Sequence, residues 1–196
     1  MVNERLSQQI KFIVEIDKLK QILRQSVIIG SKKNENDAEH SWHLAVMAIL
    51  LSEYAAQEID VLKVIKMVLI HDLVEIDAGD TFCYDEKGNL DKEEREQRAA
   101  ERIFNLLPKD QAQEIYDLWQ EFENMNTPAA CFAACLDRMQ PFILNYHTNG
   151  HTWQKPGVNS TKVYQRAAVV KENAPILWEF VQELIEDAIT KGYLIR

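Results

Sequence analysis

The sequence predicts an all-α fold, a bundle of about eight helices around a central buried helix. Apolar residues recur at three- and four-residue steps along most of the chain. Only six Gly and five Pro interrupt it, which suits helices with short connections rather than a many-stranded sandwich or barrel. The segment from Asp60 to about Asp77 is apolar almost all round, as a central helix must be.

Leu6, Ile10, Ile13, Ile16, Leu19, Ile22 and Leu23 place an apolar stripe on a first helix that ends near Gly30, with Arg24 late in it. Residues 31–36 read as a polar loop, and Asn36 with Glu39 has the spacing of a capping box that opens a second helix carrying Trp42, Ala45, Val46, Ile49 and Leu50. Asp60 can cap the third helix, and Gly79 stops it. Tyr84 to Asp91 reads as an exposed loop, followed by a fourth helix that reaches Leu107 before Pro108. Ile115, Leu118, Trp119 and Phe122 face a fifth helix inward, and Thr127-Pro128 opens a sixth that Pro141 should kink or end. Tyr146 to Ser160 is the longest expected loop, in which His147, His151 and Trp153 read as surface residues. Two more helices follow, Thr161 to Glu172 and Pro175 to Lys191, with Trp178 and Phe180 expected in the core.

A length of 196 residues suits one domain with a sizeable core, and 46% hydrophobic with 27% charged residues excludes wholesale disorder. The net charge of -9 repels nucleic-acid backbones and anionic lipid, so no polymeric nucleic acid and no membrane is expected as a partner. Met1-Val2-Asn3-Glu4-Arg5 lacks a signal pattern and no apolar run is long enough to span a bilayer, so a cytoplasmic location is expected. Cys83, Cys131 and Cys135 form no Cys-x-x-Cys pair and read as reduced, partly buried thiols.

In the third helix the run from Met67 to Ile76 is broken only by His71, Asp72 and Glu75. Adjacent helical residues point about 100° apart, so His71 and Asp72 can reach one ion from two sides. Glu75 lies four residues past His71 and three past Asp72 on the same face, where a carboxyl can exchange a proton with water on that ion. The bland alternative is a buried hydrogen-bonded pair. His40, at the start of the second helix, can equally be an exposed residue, and Asp137 can simply form a salt bridge with Arg138.

Taken together, His40, then His71-Asp72, then Asp137 on three separate helices resemble the signature of the HD superfamily of metal-dependent phosphohydrolases. Asn36-Asp37-Ala38-Glu39-His40-Ser41, Ile70-His71-Asp72-Leu73-Val74-Glu75, Ala78-Gly79-Asp80 and Leu136-Asp137-Arg138 are similar to the single-domain subgroup that includes 5'-deoxynucleotidases. The resemblance implies one HD domain over 1–196, with a metal-site core over about 36–140 and C-terminal helices over 160–192 packed on it. It implies one divalent ion (Mn, Co, Zn, Fe, Ni or Mg) held by His40, His71, Asp72 and Asp137, with Asp72 and Glu75 as catalytic residues. It also implies a phosphate contact from Arg24, a sugar-hydroxyl contact from Asp80, a small nucleotide substrate and a homodimer. The similar nucleotidases place a tryptophan after the arginine, whereas Gln25 follows Arg24 here, so no base-stacking ring is expected there.

No His occurs from Leu73 to Tyr146, which disfavours the two-metal members of the superfamily. His43 is a possible spare ligand, with packing beside Trp42 the simpler account. The expected activity is removal of phosphate from 5'-deoxynucleoside monophosphates. The alternatives are a regulatory module that binds metal and nucleotide without turnover, and a hydrolase of a larger phosphodiester or alarmone.

Overall fold

The computed structural model describes residues 3–196, so Met1 and Val2 of the segment inspected for a signal lie outside the described residues. Helix α1 (Glu4–Ile16) opens on an Asn3 cap, whose side chain accepts from the Arg5 N–H. The first helix then stops well short of Gly30. A 3₁₀ turn (Asp17–Gln21) leads into strand β1 (Leu23–Val27), which pairs antiparallel with β2 (Asn34–Asn36). Arg24 is therefore a strand residue. The β-branched run Val27-Ile28-Ile29 favours extended backbone, and the Ile28 N–H closes the hairpin on the Lys33 carbonyl at 3.0 Å. Leu6, Ile10 and Ile13 of the expected inner stripe are exposed, and α1 buries Phe12 instead.

Helix α2 (Asp37–Leu51) starts with the expected capping box. The Glu39 N–H donates to Asn36 Oδ1 at 2.9 Å, and the Asn36 N–H donates to Glu39 Oε2 at 3.0 Å. It buries Leu44, Met47 and Ala48 and leaves Trp42, Ile49 and Leu50 exposed.

The expected third helix is three pieces: α3 (Val61–Ile70), a 3₁₀ turn (His71–Val74) and the single turn α4 (Glu75–Ala78). The break coincides with a side chain bonding the helix backbone. His71 Nδ1 lies 3.0 Å from the Val68 carbonyl, which an unbroken α-helix would offer to the Asp72 N–H. His71 to Glu75 are all buried, whereas α3 leaves Leu62 and Leu69 exposed.

Helices α5 (Lys92–Phe104) and α6 (Lys109–Asn124) come next, and α7 (Pro128–His147) is the most deeply buried element. It packs against α2, α3, α6, β1, α8 (Ser160–Asn173) and α9 (Pro175–Thr190). The chain continues as helix through Pro141. A proline inside a helix costs about 3 kcal/mol, and burial of Phe132, Leu136, Met139, Phe142 and Leu144 along α7 outweighs it. No helix among the described residues is long and apolar enough to cross a membrane.

The segment 148–159 is not a surface loop throughout: Trp153 is 1% exposed and packs 5.9 Å from Phe142, ring centre to ring centre. Asn145 anchors it, accepting at Oδ1 from the Thr152 N–H (2.8 Å) and hydroxyl (2.7 Å). His147 and His151 are exposed, as expected. Phe180, expected in the core, is exposed, and Trp178 is half-buried edge-on to Tyr164.

Gly150 has φ +78°, and a Cβ there would stand 2.1 Å from the Tyr193 carbonyl oxygen. Gly150→Ala is expected to lower unfolding free energy by about 2 kcal/mol or more in denaturant titrations, with the C-terminal segment displaced first.

Candidate active site

The break after α3 points His71 and Asp72 toward the start of α2 and the middle of α7. There His40 Nε2 lies 3.1 Å from Asp137 Oδ1, and His71 Nε2 lies 3.2 Å from Asp72 Oδ1 and 3.8 Å from Asp137 Oδ1. His40 Nε2 is 4.0 Å from Asp72 Oδ2, and all four side chains are buried. The four residues singled out in the sequence thus converge on one point.

The donor set fits a cation. Ligand atoms about 2.1 Å from one ion stand about 3 Å apart when adjacent and about 4 Å apart when opposite, which is the spread seen here. His71 Nε2 is buried with no hydrogen-bond partner. The imidazole of His40 makes the same point from its other side. Gln140 Nε2 donates to Glu35 Oε1 at 2.6 Å, which fixes the amide so that Oε1 accepts from His40 Nδ1 at 3.1 Å. The Nε2 lone pair of His40 then faces a carboxylate oxygen, acceptor against acceptor, and a cation between them resolves the conflict. His40, His71 and Asp72 can therefore hold an ion together, with Asp137 completing the set.

Burial, with Arg24 nearby, pushes the His40 pKa down to about 4 and keeps the ring neutral. Burial also acts to lower His71, but the adjacent Asp72 and Asp137 carboxylates outweigh it and raise the ring to about 10. Asp137 is held well below the usual carboxylate range despite burial, by the His40 and His71 rings beside it and by the Arg138 guanidinium.

A second acidic layer lies beside this cluster. Asp37, Asp72 and Glu75 bring carboxylate oxygens within 4.8 Å of one another. Burial first, then the Asp72 charge, raises Asp37 to about 7 and Glu75 well above its ordinary value. The environment thus favours the protonated form of Glu75. Arg24 reaches in from β1, with Nη1 2.8 Å from Asp72 Oδ2 and 3.3 Å from Asp37 Oδ1. Its Nη2 makes no hydrogen bond to the protein, and the residue lines the cavity.

That cavity, about 170 Å³, is bordered by Arg24, His71, Asp72, Glu75, Asp80 and Asp137. Arg138, Arg166, Tyr84 and Trp153 form part of its far wall. Every sequence-derived site residue except the deeper His40 lines it. His43 is not directed at the cluster; it meets Gln140 Nε2 at 3.2 Å and stacks obliquely near Trp42.

The sequence reading missed Glu35, Asp37 and Gln140. Gln140 carried a usable signal, since it lies one turn beyond Asp137 as a polar residue in an apolar helix. Glu35 and Asp37 flank the capping residue Asn36 and were hidden by the cap itself.

The HD domain family model matches residues 16–178. The chain belongs to the HD-domain family. It is similar to 5'-deoxynucleotidase HDDC2 of Homo sapiens, 27% identical over 176 residues that cover 89% of this chain and 83% of the relative. The Dictyostelium discoideum protein of the same name is 31% identical over 147 residues, covering 72% of this chain and 77% of that one. Among solved structures, a predicted metal-dependent phosphohydrolase from Magnetospirillum magnetotacticum MS-1 is 49% identical over all of both chains, with a TM-score of 0.95. A conserved hypothetical protein from Pyrococcus furiosus is 27% identical with a TM-score of 0.64, covering 91% of this chain and 98% of that one. The chain is therefore an enzyme of the HD phosphohydrolase class with an all-α fold.

Gln140→Leu removes the acceptor that orients His40 and leaves Glu35 without its amide donor. The expected result is a divalent-metal dissociation constant weakened by about 10- to 100-fold, read by equilibrium metal titration of the folded protein.

Proposed function

We propose that this HD enzyme removes phosphate from small nucleotides, with 5'-deoxynucleoside monophosphates as the substrate class. One divalent ion is assigned to His40, His71, Asp72 and Asp137. The observation that carries the reading is the meeting of four buried donor groups around the unpartnered His71 Nε2.

When bound, the ion supplies Lewis acidity: it makes water a nucleophile near neutral pH and offsets charge on the phosphoryl group. Glu75, protonated by its surroundings, can give a proton to the departing sugar oxygen and then serve as base for the next water. Arg24 keeps Nη1 on Asp72 and Asp37 and has Nη2 free for a phosphate oxygen, with the planar fork that such anions suit. Asp80, on the same cavity wall, can accept a hydrogen bond from a sugar hydroxyl. The deoxynucleotide choice is supported by the similarity to 5'-deoxynucleotidases over most of both chains.

The chain is taken as one HD unit over 1–196, supported by a hydrophobic cluster with members from Leu44 to Leu194 and a second with members from Phe12 to Trp119, so that α6 contributes to both. A homodimer is proposed on the strength of the uncovered Trp42, Ile49 and Leu50 on one side of α2. Sedimentation that shows only monomer at working concentration rejects the dimer.

Metal analysis and phosphate release across a nucleotide panel test the activity. Asp72→Ala is expected to lose both the ion and turnover, and full turnover by that variant without metal overturns the reading. Glu75→Gln should keep the ion while kcat falls by about 10²- to 10⁴-fold.

A further inference from the structure

Three arginines line the cavity, and their surroundings differ. Arg24 faces three carboxylates, with Asp72 at 2.8 Å, Asp37 at 3.3 Å and Glu35 at 3.8 Å. Arg138 on α7 and Arg166 on α8 share one oxygen: Arg138 Nη1 is 2.9 Å and Arg166 Nη2 3.8 Å from Asp137 Oδ2. Among the described residues, neither has a second carboxylate within 4.0 Å.

The other oxygen of Asp137, Oδ1, faces His40 and His71. Asp137 therefore divides the two halves of the site, with the metal-ligating cluster on one side and two guanidinium groups on the other. One cation would suffice to balance one carboxylate. Two share this single oxygen, and Glu123, the other carboxylate that acts on Arg138 from the cavity wall, lies beyond 4.0 Å of both.

The donors are also unspent. A guanidinium has five N–H groups; Arg138 spends one on Asp137 and turns Nη2 toward the weak acceptor Met125 Sδ at 3.9 Å, while Arg166 makes no side-chain hydrogen bond among the described residues. Both side chains are partly exposed, at 18% and 34%, so their unspent donors remain open to the solvent of the cavity and to a ligand that enters it. A third donor, the buried Tyr84 hydroxyl, lies near Trp153 and Cys83, makes no hydrogen bond of good geometry among the described residues, and lines the same cavity.

We propose that Arg138, Arg166 and Tyr84 form a second anion subsite, which takes a phosphoryl group adjacent to the one held at the metal cluster. A monophosphate fills the metal half alone, and the ligand class that fills both halves is a nucleotide with two neighbouring phosphoryl groups, because the halves are separated by the width of one carboxylate. The choice of a phosphoryl anion rests on the phosphohydrolase reading. Tetrahedral oxyanions present several acceptors to a donor-only set, and forked arginines engage them in pairs.

The test is calorimetric titration of the metal-loaded protein, at buffered free metal, with inorganic phosphate and with methylenebisphosphonate, whose bridging carbon resists hydrolysis. The wild type is expected to bind the bisphosphonate at least tenfold more tightly than phosphate. Arg166→Ala and Arg138→Gln should remove that preference while leaving phosphate affinity within about twofold, and Arg166→Lys should restore part of it. Circular dichroism and bound-metal content establish that each variant is folded and loaded. The proposal is overturned if the wild type shows no preference, if the preference survives both removals, or if phosphate affinity falls in parallel. Arg166-dependent preference in a protein that releases no phosphate from nucleotides would keep the subsite and defeat the catalytic reading.

Discussion

A carboxylate taken out of water must be paired, protonated or bound to a cation, and Asp72 meets that demand from several sides at once. His71 stands on one oxygen, Arg24 on the other, and Asp37 and Glu75 press against it as like charges. The surrounding architecture follows from the need to bring those groups together: a 3₁₀ break after α3, a hairpin that carries Arg24, and a polar line on α7. Both acidic neighbours are pushed toward the protonated form, Asp37 to about 7 and Glu75 well above its ordinary value, while Asp72 is held below the usual carboxylate range.

The helical framework was legible because apolar spacing and caps are local signals. Thr127 and Pro128 mark the start of α7 whatever packs on it, and Asn36 with Glu39 marks α2 in the same way. The four converging residues were legible from their order and setting, although none was decisive alone. What escaped were features that only packing decides. Leu6, Ile10 and Ile13 have ideal helical spacing yet face outward, since periodicity says that a face exists and not which neighbour covers it. The β1–β2 hairpin escaped because two short strands compete poorly with an apolar stripe that runs into them. Trp153 was hidden in a stretch rich in turn-formers, where composition suggests surface but Asn145 folds the backbone inward.

Gln140 shows how a neutral residue can govern charged ones. It meets Glu35, His40 and His43 within 3.2 Å and is fully buried, so its amide is held in one orientation. That orientation sets which nitrogen of His40 bears the hydrogen, and through it which atom is offered to an ion. A change at Gln140 would be felt by one acid and two rings together.

The hairpin that carries Arg24 also carries Glu35, and it leads directly into Asp37 and the helix that bears His40. Its turn lies far along the chain from the elements that carry Asp72 and Asp137, and the Lys155 ammonium reaches Gln25 from the segment on the opposite rim. Arg24, Glu35 and Asp37 therefore travel as a single ribbon. A change in the turn at Gly30 is thus felt at both ends of the ribbon, at Asp72 through Arg24 and at His40 through Glu35 and Gln140.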